Sequence, residues 1–264
     1  TATPVVNLPD YYTDEFRKSI NFEARAMVID TDRYYPSSWS KAKISEYEKK
    51  IALGNYDEAR QMMDDWVKQE LLSDNPRLSV RVNKNGLRGI AKDGRYKSQF
   101  ETHTSNGLRD IKRRTEAENH LFNTPIDIDK SKRPAYGMIN FGDNVAGGRQ
   151  YGEFEIILKN DVLKRTTITL GDSLNVEGWS RGASPFYDPS IGSALGLNTK
   201  SGINLIEKIK GGTTSGMSYI EAQIHGGFTI DDIDYIAIDN AGLIPIINKL
   251  FYNKTIRFII RKGT

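Results

Sequence analysis

The chain contains the run Tyr219-Ile220-Glu221-Ala222-Gln223-Ile224-His225-Gly226, in which polar and apolar side chains alternate. Successive side chains of a β-strand point to opposite faces of its sheet, so the alternation predicts a strand over 217–224 with one apolar face. The other face would carry Tyr219, Glu221, Gln223 and His225. Such a face is either the solvent side of an edge strand or the lining of a site. The run therefore offers Glu221 as a candidate functional group.

Further strands and helices are predicted on both sides of this run. Short apolar or alternating segments favour strands over 78–82, 97–104, 136–141, 151–158, 165–170, 234–238 and 255–261. Helical periodicity appears between them, over 86–92, 109–121, 201–209 and 241–250. The segment 171–200 is rich in Gly, Ser, Asn and Pro and is predicted to be a long surface loop.

The first 75 residues have a different character from the rest. Three amphipathic segments predict helices: 14–27, 38–53 and 56–72. The third of them directs Met62, Met63 and Trp66 toward a core. Asn75-Pro76 ends this pattern, because the residue before a proline is disfavoured in a helix. The sequence thus predicts an α+β protein, with an N-terminal helical lobe over 1–75 and a mixed-sheet domain over 76–264.

Composition excludes several classes of protein and site. The 264 residues include no Cys and three His, so disulfides and Cys-ligated metals are excluded and no metal site is expected. No run of about 18 apolar residues is present, so no membrane-spanning helix is predicted.

Positive charge is concentrated in the segment 77–114. This segment contains eleven Lys and Arg against three acidic residues, although the whole chain has a net charge of only +3. Such a segment suits a phosphate ligand or a nucleic acid, or is simply a solvated basic face. Aromatic residues within it are few, which does not favour a groove for single-stranded nucleic acid.

A second candidate stretch is Lys97-Ser98-Gln99-Phe100-Glu101-Thr102-His103-Thr104-Ser105-Asn106-Gly107. It is predicted to be extended, with Thr102 and Thr104 on one face. Its end at Ser105-Asn106-Gly107 predicts a turn, where backbone N–H groups become available to a ligand.

Arg81 lies between two valines on a predicted strand upstream of this stretch. It either points to solvent or binds a phosphate group with its planar, permanently charged guanidinium. The chain thus carries, in this order, an arginine, a Thr/Ser cluster and Glu221. This order suits an enzyme that cleaves the nicotinamide–ribose bond of NAD. The cation would hold phosphate, the hydroxyls would order the ribose, and the carboxylate would stabilise the developing positive charge.

Several common catalytic motifs do not occur in the chain. The sequence lacks G-x-x-x-x-G-K-[ST], G-x-G-x-x-G and H-E-x-x-H. Glu153 and Glu155 also form a Glu-x-Glu pair before an apolar strand, and we interpret them as ordinary strand residues.

Residues 78–239 resemble a domain family of unassigned function seen in bacterial proteins and at the ends of phage minor head proteins. Five blocks carry the resemblance: 93–102 with 105–107, 133–137, 151–152, 165–173 and 219–226. That family in turn resembles the mono-ADP-ribosyltransferases of bacterial toxins and effectors. Those enzymes carry an arginine on the first strand, a Ser-Thr-Ser-like second strand and a Glu-x-Glu or Gln-x-Glu before a later strand.

The resemblance implies an ADP-ribosyltransferase-like sheet domain that uses NAD as a substrate, without a metal, to modify a target protein. It also implies a bacterial or phage origin and secretion or delivery into a target cell. Glu221 would be the catalytic acid, with Tyr219 at the acceptor-selecting position. We align Glu221 rather than Gln223 with the essential acid, because a carboxamide cannot carry the required charge. Gln223 would orient the acceptor. The residues implied to bind NAD are Arg81, Arg95, Gln99, Thr102, Thr104, Ser105, Arg133, Tyr136 and Gly137. Arg133 is the alternative to Arg81 as the arginine that grips NAD, and Ser105 would also order the catalytic acid.

Two other functions are compatible with the sequence. One is a non-catalytic adaptor, associated with a phage head or a toxin, that binds protein or nucleic acid through the basic segment 77–114. The other is an enzyme acting on a different phosphate-containing substrate, such as a nuclease, with Glu221, His225 and Asp172 at its site.

Overall fold

A mixed β-sheet runs through the centre of the protein. The computed structural model describes residues 8–20, 34–73, 75–104, 110–141, 148–174, 182–196, 199–211 and 219–261. The strands in these residues are β1 (Pro76–Val82), β2 (Ala135–Phe141), β3 (Phe154–Leu158), β4 (Thr166–Leu170), β5 (Ser184–Pro185), β6 (Ile220–Ile224), β7 (Ile233–Ile238) and β8 (Arg257–Ile260). They form one sheet in the order β5-β4-β6-β2-β1-β3-β7-β8. Neighbouring strands are antiparallel except β7 and β8, which are parallel.

Helices flank the sheet, which confirms the predicted α+β class. They are α1 (Asp14–Ile20), α2 (Lys41–Ala52), α3 (Tyr56–Ser73), α4 (Lys84–Asp93), α5 (Gln99–Thr102), α6 (Ile111–Phe122), α7 (Ile191–Leu195), α8 (Lys200–Lys210) and α9 (Ile244–Leu250). Short 3₁₀ turns occupy Lys130–Lys132, Arg149–Tyr151, Asn160–Arg165, Ile230–Asp232 and Ala241–Leu243. Among the described residues, no helix combines the length and the apolar character that crossing a membrane requires.

Near the centre of the sheet, its two faces differ in chemistry. Leu78, Val80 and Ile220 point to the apolar face and join one core with residues of α3 and α8, including Trp66 and Ile203. Residues opposite each other in an antiparallel pair share a face, so the register defines the second, polar face. Its central members are Ser79, Arg81, Met138, Glu155, Glu221 and Gln223.

Helices α2 and α3 pack with the apolar face of the sheet. Met63 and Trp66 of α3 are buried in the same core as the strand residues, as the helical periodicity predicts, and Met62 packs against that core from a half-buried position. The proposed division of the chain at residue 75 stays a prediction. Helix 14–27 is described only as far as Ile20, where α1 ends.

The predicted strand over 97–104 is wrong, because this segment contains helix α5. The backbone N–H of Ser98 donates to the Glu101 carboxylate at 3.0 Å, the reciprocal arrangement of a capping box. Thr residues favour strands only weakly, and here the local cap outweighs that preference.

The predicted long loop over 171–200 contains regular structure. Strand β5 pairs with β4, and helix α7 is buried against α3. The Asp64 carboxylate of α3 accepts a hydrogen bond from the Ser193 hydroxyl at 2.7 Å. The small residues of α7 allow this close approach to α3. A composition that is typical of loops therefore occurs here in a tightly packed helix.

Gly137 lies where β1 and β2 approach closely, and a side chain there would be costly. A Cβ atom on Gly137 would lie 2.4 Å from the backbone oxygen of Ser79. We expect Gly137→Ala to lower the free energy of unfolding by about 1–3 kcal/mol. Gly89→Ala is the control, because nothing lies within 4 Å of its added Cβ and α4 would gain helix propensity. Urea unfolding of both variants measures the difference, and equal stabilities would contradict the close packing.

Candidate functional site

A cleft of about 520 Å³ is lined by residues of the polar face of the sheet. Helices α4 and α5, strands β1 and β2, the start of β6 and the turn after β4 all contribute to its lining. Cavities of this size commonly accommodate a small molecule or cofactor.

Glu221 lies in this cleft and is 3% exposed. Its Oε1 accepts hydrogen bonds from the Ser173 backbone N–H at 3.2 Å and from the Gln223 side-chain amide at 3.0 Å. Burial raises the pKa of Glu221, the Arg114 charge opposes that rise, and the Asp172 charge adds to it. The site thus holds a carboxylate in a fixed orientation. Its charge interacts strongly with neighbouring groups, because buried surroundings have a low dielectric constant.

Gln223 lies behind Glu221 and is not among the residues that line the cleft. Its Nε2 also donates to Thr169 Oγ1 at 3.0 Å, and its Oε1 accepts from the Thr167 hydroxyl at 2.9 Å. These bonds fix the amide so that its N–H faces the carboxylate. The structure thus places the Gln223 amide against Glu221 and outside the cleft lining, and its predicted role in orienting the acceptor stays a prediction.

Arg114 brings a positive charge beside Glu221. Its guanidinium lies 3.8 Å from the centre of the Tyr136 ring, and its NH1 donates to Ser173 Oγ at 2.9 Å. The buried Nε atom has no hydrogen-bond partner among the described residues. Within the same residues, no carboxylate forms an ion pair with Arg114 within 4 Å. Burial lowers the pKa of Arg114, but the neighbouring Tyr136 and Glu221 outweigh burial and raise it. Arg114 is thus available to an anionic group in the cleft.

The sequence analysis missed Arg114, although a signal for it exists. Ala117, Leu121 and Phe122 form the buried face of α6, and Arg114 and Glu118 occupy the same face. A charged pair at i and i+4 on a buried helical face is unusual, because buried charges require partners.

Arg133 does not reach the cleft. Its NH1 donates to Glu118 Oε2 at 2.5 Å, and both side chains are buried. Glu118 also accepts from the Tyr136 hydroxyl at 2.9 Å. The structure therefore does not bring Arg133 into the cleft lining, where its predicted role in NAD binding would place it; its contact with Glu118 helps to anchor α6 above Tyr136.

Arg81 lines the cleft, but its guanidinium is bound within the protein. Its NH2 lies 2.9 Å from Glu155 Oε2, and its NH1 donates to the Gly152 carbonyl at 3.3 Å. Burial lowers the pKa of Arg81, and the Glu155 charge opposes this. The arrangement favours a structural role over the predicted binding of diphosphate.

Glu155 is a buried ion-pair centre rather than an ordinary strand residue. Besides Arg81, its carboxylate contacts Arg261 NH1 at 2.5 Å and the Asn140 amide at 2.9 Å. Glu153, by contrast, is exposed and accepts a hydrogen bond from the Lys84 backbone.

Arg95 is also excluded from the cleft lining. It forms an ion pair with Glu101 that raises the pKa of the guanidinium, and this pair lies beside α5. The remaining predicted binding residues do line the cleft: Gln99, Thr102, Thr104, Tyr136 and Gly137. Ser105 lies outside the described residues.

His225 is buried away from the cleft and is not placed as a base. It stacks on Tyr12 and meets Phe122 edge-on. Burial lowers the pKa of His225 to about 3, so the ring is neutral at ordinary pH. The described residues contain no group of three or more His, Asp or Glu arranged to hold a metal ion.

Much of the basic segment 77–114 is not a free surface. Arg77, Arg81 and Arg114 are buried, and Lys97 pairs with Asp93 at 2.9 Å. The charge excess in the sequence therefore overstates the basic surface available to a nucleic acid.

Comparison with known proteins gives two similarities. A family model described as "Protein of unknown function (DUF3626)" matches residues 76–199. The Gene 2 protein of Mycobacterium phage L5 is 31% identical to the chain over 160 residues, covering 53% of this chain and 56% of that protein. Over about half of its length, the chain is similar to a phage protein. It spans only about half the length of that relative, and the family match ends before β6 and Glu221.

Proposed function

We propose that this protein is an NAD-dependent mono-ADP-ribosyltransferase that modifies a protein target, in the manner of a toxin or effector. The observation that carries the proposal is the buried Glu221 carboxylate in the cleft, held by Ser173 and Gln223, with the Arg114 guanidinium beside it. A carboxylate oriented in this way can stabilise a positive charge that develops on a bound sugar.

The charges in the part of the cleft around Glu221 complement the nicotinamide half of NAD. That half carries a cationic pyridinium ring and, across the ribose, an anionic phosphate. Glu221 and Asp172 are carboxylates in this part of the cleft, and Arg114 is a cation beside them. We assign phosphate binding to Arg114 rather than to Arg81, whose guanidinium is bound to Glu155.

The reaction breaks the bond between the ribose C1′ and the nicotinamide nitrogen. The bonding electron pair moves to the ring nitrogen, which leaves neutral nicotinamide and a positively charged sugar. Glu221 stabilises that sugar and hydrogen-bonds a ribose hydroxyl. The acceptor then forms a bond to C1′ and loses a proton, and water in place of the acceptor gives NAD hydrolysis. Electrostatic stabilisation of this kind is worth roughly a few kcal/mol for one group.

The pH dependence follows from the state of Glu221. Stabilisation of a positive sugar requires the ionised carboxylate, and burial raises its pKa above the ordinary glutamate value. We expect kcat/KM for NAD hydrolysis to fall as pH decreases through this raised pKa and to level off above it. A profile measured from about pH 4 to 8 reports the free-enzyme value. A rate that rises toward acid pH would contradict the assigned role, and Glu153→Gln should reproduce the wild-type profile.

Transfer of label from NAD to proteins in a cell lysate tests the proposed function. We expect label on one or more proteins, together with slow release of free ADP-ribose. Tight, salt-sensitive nucleic-acid binding without NAD turnover would instead support the adaptor function.

A further inference from the structure

A chain of hydrogen bonds runs along the polar face of β4 and β6 and ends at Glu221. Thr167 and Thr169 of β4 lie directly opposite Gln223 and Glu221 of β6 in the register. All four side chains are buried. A buried polar group is costly without a partner, so the bonds within this chain decide how each side chain is oriented.

The Gln223 amide has only one suitable orientation in this chain. The Thr169 hydroxyl donates its single proton to the Gly171 carbonyl at 3.1 Å, so toward other groups its oxygen can only accept. It accepts from Gln223 Nε2 at 3.0 Å, and the same nitrogen donates its other proton to Glu221 Oε1 at 3.0 Å. A reversed amide would place its oxygen against two acceptors. The donor end of Gln223 is therefore directed at the carboxylate.

Thr167 and His225 fix the other end of the amide. The Thr167 hydroxyl donates to Gln223 Oε1 at 2.9 Å and lies 3.0 Å from His225 Nε2. Because the hydroxyl has one proton, the histidine nitrogen must donate to it, and Nε2 carries the ring proton. Contacts with Tyr12 and Phe122 hold the ring itself. The bonds thus donate in one direction, from the histidine to the carboxylate.

We propose that Gln223, Thr167 and His225 are positioning residues, which hold the Glu221 carboxylate in the orientation that NAD cleavage requires. This inference rests on the proposed function. None of the three is among the residues that line the cleft, so they act on the reaction through Glu221. The donor that faces the carboxylate cannot turn away, because both ends of its amide are bound.

The first test measures nicotinamide release and NAD affinity in Gln223→Met, which removes the donor facing Glu221. We expect kcat to fall about 10- to 100-fold, the range for losing a hydrogen bond to a charged group, with little change in NAD affinity. Thr167→Val should lower kcat in the same direction, and Thr167→Ser, which keeps the hydroxyl, should retain most of the turnover. If Gln223→Met does not fold in a thermal unfolding scan, the two Thr167 variants give the same comparison.

Thr166→Val is the matched control for a merely structural effect. Thr166 is the next residue of β4 and is also buried, but its hydroxyl donates to the Val162 carbonyl at 2.8 Å and takes no part in the chain. We expect this variant to lose stability, as Thr167→Val does, and to keep wild-type kcat.

The pH profile separates positioning from stability. Burial raises the pKa of Glu221, and the hydrogen bond from Gln223 lowers it, because that bond favours the ionised form. The acid limb of kcat/KM should therefore move to higher pH in Gln223→Met and stay in place in Thr166→Val. Both variants retain the charged and titratable groups that act on Glu221: Arg114 of α6, Asp172 of the turn after β4, Tyr136 of β2 and Tyr219.

Carbon-13 NMR of glutamate-labelled protein measures the same change without turnover. The Glu221 carboxyl signal is assigned by its absence in Glu221→Gln. We expect it to titrate at higher pH in Gln223→Met than in wild type.

The outcomes separate this proposal from the proposed function. Wild-type kcat and an unchanged Glu221 titration in Gln223→Met would overturn the positioning role and leave the transferase function intact. Loss of transfer to protein with unchanged nicotinamide release would also overturn it, and would place Gln223 at the acceptor. A wild-type protein that releases no nicotinamide would overturn the transferase function. In that case a raised Glu221 titration in Gln223→Met would still support the hydrogen-bond chain, and an unchanged one would overturn both.

Discussion

Glu155→Gln is expected to destabilise the protein by about 3–5 kcal/mol, the range for breaking a buried ion pair from one side. The glutamine is nearly isosteric, but it leaves the guanidiniums of Arg81 and Arg261 buried without their shared counter-charge. Urea unfolding measures the loss. Glu153→Gln, two residues away and exposed, should change stability by less than about 0.5 kcal/mol.

The pH dependence of this loss provides a second check. Burial would raise the pKa of Glu155, but the charges of Arg261 and Arg81 outweigh burial and hold it below the ordinary value. A lowered native pKa contributes stability at neutral pH that is lost as pH falls through that pKa. The difference between wild type and Glu155→Gln should therefore shrink in acid. A difference that is absent at neutral pH would show that the ion-pair cluster does not stabilise the fold.

Glu221→Gln is expected to reduce NAD cleavage by about 100- to 1,000-fold, the effect typical of removing one preorganised electrostatic group. The amide oxygen of the new side chain can still accept from Ser173 and Gln223, so the protein should fold and bind NAD. Turnover and NAD affinity are measured side by side. Glu153→Gln is the matched control, and a Glu221→Gln variant with wild-type turnover would remove Glu221 from the mechanism.

The sequence predicted the strand that carries Glu221 and the face on which it lies. The alternation of polar and apolar residues from Tyr219 to His225 reflects the pleat of a β-strand, so it predicted the strand correctly. The cleft also brings Thr102 and Tyr136 close to this strand, although some 85 to 120 residues separate them from it along the chain.

The partners of the arginines could not be predicted in the same way. Arg81 and Glu155 are paired across β1 and β3, and Arg133 and Glu118 meet between a helix and the start of β2. Which acid an arginine contacts depends on strand register and helix placement, and local sequence does not determine either of them. The pattern of α6 marks Arg114 as an unusual buried charge, but it does not identify its partner, because the stacking of Arg114 on Tyr136 joins two separate elements.

The error over 97–104 had a local cause. The threonines favour a strand, but the Ser98–Glu101 cap outweighs that preference and turns the chain into α5. Thr102 and Thr104 still reach the cleft from this helix and the residues that follow it, so the predicted residues were useful even though the predicted element was wrong.

Release of nicotinamide from NAD by the purified protein tests the central claim most directly. The account predicts steady release by the wild-type protein, loss of that release in Glu221→Gln, and unchanged release in Glu153→Gln. No release by a folded wild-type protein, or equal release by wild type and Glu221→Gln, would contradict it.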